Sequence, residues 1–295
     1  MADFINQEAI TKAAALVEAQ RYIQQFAGKT VVVKVGGSIM DQPDDLRAVI
    51  NDICFMASVG MRPIIVHGGG KGITAAMQKA GLEAHFVQGR RYTDERTLAI
   101  AEHVLTQDIN TEIQTMISDR GLQPMGLHSL SSCAIIAKRL FLDGEGDRKI
   151  DIGFVGEVEW VNGELLNALT LSGVIPVIAP IARDKAGGKL NVNADSIAGH
   201  VAAATKAEKL VLISDTHGIR TSADADDLAR HLTKPQIENL IDTGIITAGM
   251  LPKVESSFIA LVGGVKKAHI VDGRIQHAAL LEVYTDTGIG TEIVL

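Results

Sequence analysis

Short runs of β-branched residues alternate with helical patterns along the whole chain, and this alternation limits what the chain can fold into. Residues 30–35 hold four valines around Lys34, and Ile64-Ile65-Val66 is a second run. Residues 174–178, 210–213 and 269–272 follow. Runs this short and apolar on both faces are strands of a parallel sheet covered by helices. Helical spacing separates them over residues 8–26, 46–59, 74–80, 93–120, 165–172, 196–206, 235–242 and 250–262. Residues 134–137 and 153–161 read as further short strands, Arg148, Lys149 and Asp151 as part of an exposed hairpin, and residues 41–45 as another hairpin. With no linker or low-complexity stretch between them, these elements predict an α/β fold with one continuous sheet and helices on both faces.

Composition narrows the class further. The 295 residues suffice for one large α/β domain or two lobes sharing a sheet, and 29 glycines with only 4% aromatics suit close-packed helices on a parallel sheet. A net charge of -7 argues against broad nucleic-acid binding. Cys54 and Cys133 sit in apolar surroundings without paired spacing, so neither a disulfide framework nor a metal site is expected, which fits a reducing cytoplasm. Asp3 and Glu8 interrupt the N-terminus, so no signal peptide is expected, and no apolar run reaches membrane-spanning length.

The first strand runs into Gly36-Gly37 and the second into His67-Gly68-Gly69-Gly70-Lys71-Gly72. In open α/β sheets ligands gather at the carboxyl ends of strands, so Lys34 followed by bare backbone amides suits a phosphate; a lysine snorkelling beside a tight turn is the other reading. Familiar signatures fail. Gly28-Lys29-Thr30 lacks the earlier glycine of a P-loop, because position 23 is Ile23. Gly70-Lys71-Gly72-Ile73-Thr74-Ala75 matches a dinucleotide fingerprint, but the next apolar stretch, residues 84–88, supplies no acid for a ribose. His67-Gly68-Gly69-Gly70 has no Gly-x-Ser-x-Gly elbow to serve. What remains suits anionic ligands: Lys34, the two glycine turns, Arg91, Asn193, Asp195 and Lys253. Each one alone also reads as a surface ion pair, a helix-start residue or a solvated charge.

In order and surroundings these pieces resemble the N-acetylglutamate kinases of the amino-acid kinase family, from about Phe26 to the C-terminus. Lys34-Val35-Gly36-Gly37, Val66-His67-Gly68-Gly69-Gly70, Gly89-Arg90-Arg91-Tyr92-Thr93, Gly153-Phe154-Val155-Gly156-Glu157-Val158, Asn191-Val192-Asn193-Ala194-Asp195 and Gly249-Met250-Leu251-Pro252-Lys253 carry the resemblance. Two departures stand out. Lys71 occupies the place of the family's usual proline, and Leu127-His128-Ser129-Leu130-Ser131-Ser132 replaces its usual Leu-Ser-Gly-Lys-Asp-Gly.

The resemblance implies a three-layer αβα sandwich with a mainly parallel sheet: an N-terminal helix (1–27), an acid-binding lobe (28–206) and a nucleotide lobe (207–295). It implies ATP- and Mg2+-dependent phosphorylation of the side-chain carboxylate of N-acetyl-L-glutamate in arginine biosynthesis. Lys34 and Lys253 would face the transferring phosphoryl group with Asp195 orienting them. Gly69, Gly70, Arg91 and Asn191 would hold the acid, and Gly36, Gly37, Ser214 and Asp215 the nucleotide. Arginine-inhibited members carry a helix like the one over residues 8–26 and assemble as hexamers from dimers. The matching pieces for an inhibitory L-arginine site are Tyr22, Lys209, His269, Glu282 and Gly288. A kinase of another small acid and a non-catalytic arginine sensor are the alternatives, and neither nucleic acid nor membrane is an expected partner.

Overall fold

The computed structural model describes residues 7–132, 134–146, 148–222, 227–247, 249–285 and 288–295; Cys133 and Asp3 lie outside them. Helix α1 (Gln7–Phe26) leads into β1 (Thr30–Val35), then α2 (Gly37–Met40), α3 (Pro43–Ser58), β2 (Arg62–His67) and α4 (Gly70–Lys79). A small hairpin, β3 (Phe86–Val87) and β4 (Arg90–Arg91), precedes a long helical run: α5 (Glu95–His103), a π-helical turn Val104–Ile109, and α6 (Asn110–Ser118). After β5 (Gln123–Leu127) come β6 (Ile135–Asp143), β7 (Lys149–Val161), α7 (Gly163–Leu171), β8 (Val174–Ile178), β9 (Ile181–Arg183), β10 (Lys189–Val192) and α8 (Ala194–Thr205). The last third is β11 (Lys209–Ser214), β12 (His231–Thr233), α9 (Lys234–Asp242), α10 (Leu251–Val262), β13 (Lys267–Asp272), α11 (Ala278–Tyr284) and β14 (Thr291–Val294).

Among the described residues the main sheet has eight strands in the order β12-β14-β13-β11-β1-β2-β8-β5. Every pairing in it is parallel except β13 with β14. All six residues of β1 are buried, as a central strand covered on both faces requires. Its alternate residues enter two cores. Val32 joins Ile64, Leu212, Leu166, Ile197 and Val254 under α7, α8 and α10, whereas Val31, Val33 and Val35 join Ile50, Ile113 and Ala279 under α3, α6 and α11. Two helical layers on one sheet make the expected three-layer sandwich.

Three local expectations are corrected. The sheet is not the only one: β6, β7, β9 and β10 close a separate four-stranded barrel. Its long β6–β7 hairpin is antiparallel, has alternating burial and shifts register at two places, so it curls away from the flat parallel stack. No hairpin forms at residues 41–45; Pro43 opens α3 with Asp44 and Asp45 in its first turn, where proline's fixed φ and the helix dipole favour them. The helix over residues 93–120 starts at its Asp94 cap, which accepts from Thr97 N at 2.7 Å, but the π-helical turn breaks its regular hydrogen bonding midway.

Helices α8 and α10 approach closely because Gly199 faces Ser256; an added Cβ would lie 2.6 Å from the Ser256 carbonyl oxygen. Alanine is the better helix former by about 1 kcal/mol. A clash with backbone cannot be relieved by a rotamer change, however, and overpacking costs about 1–3 kcal/mol. Gly199→Ala should therefore lower the calorimetric unfolding midpoint. A raised midpoint would mean that the helices part without loss.

Candidate active site

The site is built where β1 and β2 end side by side. Lys34 pairs in register with Val66 on one flank and Leu212 on the other, and both strands then turn through glycine. The turns face each other closely: a Cβ on Gly37 would lie 3.3 Å from Gly70 N, and one on Gly68 would lie 3.2 Å from Gly37 N. A side chain on Gly69 would push back the methyl ends of Leu105 and Ile109 of the π-helical turn, which would stand 2.5 and 2.8 Å from its Cβ. Helix α4 starts at Gly70 without a side-chain cap, so its first amides and the positive end of its dipole meet the same space. That space is a cleft of about 270 Å³ bordered by Lys34, Gly37, Gly69, Gly70, Arg91, Asn191 and Asp195.

The charges in the cleft are few and nearly buried. Lys34 Nζ lies 2.9 Å from Asp195 Oδ1, with side chains only 8% and 10% exposed. Burial alone would raise the Asp195 pKa, but the charges of Lys34 and Lys253 and the Lys34 hydrogen bond hold it below the usual carboxylate range. Burial, helped by the Lys34 charge, pushes the Lys253 ammonium pKa down, against the pull of Asp195 and Asp215. Asp195 lies in the first turn of α8, capped by Asn193, whose side chain accepts from Ser196 N at 3.0 Å. Lys253 lies in the first turn of α10, and Ser256 Oγ of that helix donates to Asp195 O at 2.6 Å. Two lysines around one carboxylate leave a net positive charge in a poorly solvated place. Arg91 reaches the cleft from β4, its guanidinium carbon 4.8 Å from the Phe86 ring centre and its Nη2 donating to Gly70 O at 2.8 Å and Thr74 Oγ1 at 2.7 Å. Asn191, on the barrel, donates to Thr93 Oγ1 at 3.4 Å.

A wider cavity of about 670 Å³ opens beyond β11, bordered by Asp215, His217, Gly218, Ile246, Met250 and Arg274. Buried Asp272 at the end of β13 accepts from Arg274 Nη2 at 2.7 Å and lies 2.8 Å from His217 Nδ1, fixing both side chains at this mouth. Of the residues singled out for a nucleotide, only Asp215 borders this cavity. Gly37 borders the smaller cleft instead, Gly36 packs on Ile213 O, and Ser214 is buried behind Asp215. Sequence reading missed His217 and Arg274, whose only signal is nearness to the ends of β11 and β13, and Ile246, between α9 and α10; Met250 it named only as part of the piece over residues 249–253.

The sequence profile of the amino acid kinase family matches residues 29–272. The chain belongs to that family. It is 45% identical over 294 residues to an acetylglutamate kinase from Symbiobacterium thermophilum, covering 98% of this chain and all of that one. It is 45% identical over 293 residues to an acetylglutamate kinase from Synechococcus, covering 99% and 95%. Among solved structures, an N-acetylglutamate synthase from Neisseria gonorrhoeae, complexed with coenzyme A and N-acetyl-glutamate, superposes with a TM-score of 0.85 at 23% identity. That match covers 96% of this chain and 63% of the synthase. At that identity the likeness is one of fold. The protein smu.665 from Streptococcus mutans superposes with a TM-score of 0.72 at 28% identity, covering 90% of this chain and 98% of that one.

Both departures from the family pattern now have places. Lys71 Nζ sits 3.0 Å from Asp41 Oδ2, tying the start of α4 to the end of α2. Residues 127–132 do not border the cleft among the described residues; Ser129 N donates to Ile181 O at 2.9 Å, and its Oγ lies 3.3 Å from Glu102 Oε1, which puts the segment behind β9.

Tyr22, Lys209, His269, Glu282 and Gly288 all border a third cavity, of about 600 Å³, at the opposite ends of β11 and β13. Glu282 is paired with His269 Nδ1 at 2.6 Å and accepts from Ile289 N at 2.7 Å and Gly290 N at 2.9 Å. Gly288, at φ 58°, leaves no room for a Cβ beside that carboxylate. Burial would raise the Glu282 pKa, yet the His269 partner and the two amides hold it at about 2. Because the folded-state pKa lies below the ordinary 4.5, the stabilisation is full above that pH and is lost as pH falls through about 2. Glu282→Gln should lower stability at neutral pH by about 1–3 kcal/mol, with the gap to the parent narrowing progressively below about pH 4.5 in urea titrations. A gap independent of pH would show that the charge is irrelevant to the fold.

Proposed function

We propose that the chain is an ATP-dependent kinase that phosphorylates the side-chain carboxylate of N-acetyl-L-glutamate, as a cytoplasmic step of arginine biosynthesis. The observation that carries this reading is the Lys34–Asp195–Lys253 group, set between a small cleft suited to an acid and a larger cavity suited to a nucleoside. The acetylglutamate kinases at 45% identity over nearly the whole chain support the choice of acid. The lobes divide at residue 207, and the sheet order supports this, since β11 to β14 lie on one side of β1 and β2, β5 and β8 on the other.

A carboxylate is already ionised at neutral pH, so the reaction needs no general base. The catalyst instead offsets the charge of two anions brought together. Arg91 forks onto the α-carboxylate of the acid. Asn191 and the Gly70 amide hold the rest of the substrate. Lys34 and Lys253 surround the transferring phosphoryl group, and the Gly37 and Gly69 amides, expected from the resemblance to serve the nucleotide and the acid, face each other beside Lys34 and join them there; Asp195 keeps the two lysines apart and aligned. Among the described residues no three acidic, His or Cys side chains gather to cage a metal, so Mg2+ would ride mainly on nucleotide oxygens, with Asp195 the one carboxylate at the cleft. Bound there, Mg2+ would neutralise phosphate charge. An arginine sensor without activity would not need this group of charges beside Arg91.

Hydroxylamine trapping with ATP, Mg2+ and a panel of acids should yield an acyl phosphate from N-acetyl-L-glutamate. Lys253→Ala should cut turnover by roughly 100-fold while leaving the thermal midpoint nearly unchanged, because the half-buried Lys253 can go without stranding Asp195, which retains Lys34. Trapping on another acid alone would transfer the reading to that acid.

The third cavity is proposed as an inhibitory L-arginine site, with the Glu282 carboxylate facing a guanidinium. The end of α1 docks through Tyr22, Ile23 and Phe26, the last edge-on to Tyr284 at 6.3 Å, while Leu16 and Val17 stay 67% and 71% exposed. That bare face suits the same helix of another subunit in a hexamer built from dimers. Deleting residues 1–18 should reduce a hexamer to dimers in light scattering with activity kept. A truncated protein that remains hexameric removes the joining role, and a full-length enzyme indifferent to millimolar arginine removes the site.

A further inference from the structure

His67, the last residue of β2, is wholly buried; it does not border the cleft, but Gly68 and Gly69, which follow it, do. Its Nδ1 lies 2.8 Å from Gly68 O, and its Nε2 lies 3.0 Å from Asn110 Nδ2. Asn110 Nδ2 also donates to Val177 O at 2.9 Å, while its Oδ1 accepts from Gln114 Nε2 at 2.8 Å. Gln114 Oε1 in turn accepts from Gly126 N at 3.0 Å. The chain begins on a backbone N–H, which can only donate, and ends on a carbonyl, which can only accept. Every link between them therefore has a single polarity. Gln114 and Asn110 are fixed against flipping, and His67 is the neutral tautomer with its hydrogen on Nδ1. Burial agrees with this, pushing the His67 pKa down to about 4.

The consequence reaches the cleft through one peptide plane. The Gly68–Gly69 peptide is trans, as are all peptide bonds among the described residues, so a Gly68 carbonyl held inward sends the Gly69 N–H outward, across from Gly37. Three successive glycines have no side chains to hold that plane, and a flipped plane would aim a carbonyl oxygen at an incoming anion. We propose that His67 is a positioning residue for phosphoryl transfer: by holding Gly68 O it keeps the Gly69 amide aimed at the reacting phosphoryl group, and Asn110, Gln114 and the edge strand β5 hold His67 in the state that can do so. The proposal rests on the kinase reading for the identity of the anion, but not for the orientation of the amide.

Asparagine places an amide N–H near the position of Nδ1, and glutamine reaches the position of Nε2 instead. With ATP, Mg2+ and N-acetyl-L-glutamate, His67→Gln should lose roughly 100-fold in kcat with both KM values within about threefold, whereas His67→Asn should stay within about tenfold of the parent kcat. Loss of activity that follows the thermal midpoints of the two variants, rather than the donor they keep, overturns the proposal. A crystal structure of the His67→Gln protein reads the peptide plane whatever acid is phosphorylated: a reoriented Gly68–Gly69 plane supports the proposal and an unmoved plane overturns it. A parent protein that traps no acyl phosphate would count against the kinase reading alone. If the glutamine variant does not fold, Asn110→Ala, which removes the donor that fixes the tautomer, should lower kcat at unchanged KM for ATP; unchanged kcat overturns the proposal.

Discussion

The pair Lys34–Asp195, at 2.9 Å and almost sealed from water, is the interaction around which the rest of the molecule is arranged. Taking two such ions out of water costs several kcal/mol each, and removing one partner of a buried pair costs about 3–5 kcal/mol. Such a pair persists only where the backbone delivers both ions accurately. Here β1, central in the sheet, delivers the lysine, and a capped helix start delivers the carboxylate. Lys253, held by α10 against α8, adds a second positive charge and turns a structural pair into a site with unspent attraction for an anion.

Small residues make that delivery accurate. Gly199 lets α8 and α10 touch so that the first turns of both reach Asp195 and Lys253 to the same place. Gly69 lets the π-helical turn press on the loop after β2. The π-helical turn is a local departure from good hydrogen bonding, and such turns recur at functional sites because they move side chains off the regular 3.6-residue spacing. Leu105 and Ile109, four apart and so on one face of the turn, both meet that glycine.

Strands β11 and β13 connect the wider cavity to the third one. Each begins at the third cavity, with Lys209 and with Lys267 and His269, and ends at the wider cavity, with Asp215 just past β11 and Asp272 at the end of β13. Both ends keep charges half or fully buried: burial and neighbouring Lys267 lower the pKa of Lys209, while Arg274 and His217 keep Asp272 ionised against its burial. Six-residue strands place the two groups roughly 20 Å apart. Asp52 of α3 lies 2.8 Å from His277 Nδ1, just ahead of α11, the helix that carries Glu282.

Local chemistry alone determined the parallel strands, the turn after Lys34, the helix that starts near Asp195 and the exclusion of P-loop, dinucleotide and esterase readings, because β-branched runs, glycines and caps act over a few residues. That Arg91 and Asn191 share one cleft, and that five distant residues share the third cavity, was legible only through resemblance, since nothing local brings Tyr22 to Gly288. The barrel was not legible, because a hairpin with alternating burial and a buried parallel strand look alike in fragments of four residues. Nor was the helical break at Val104–Ile109, or the service of His67, whose distant partner Asn110 lies on α6. Which charges share one low-dielectric space, and which carbonyl a buried ring holds, is decided by helix packing across the sheet, and only the tertiary structure contains that.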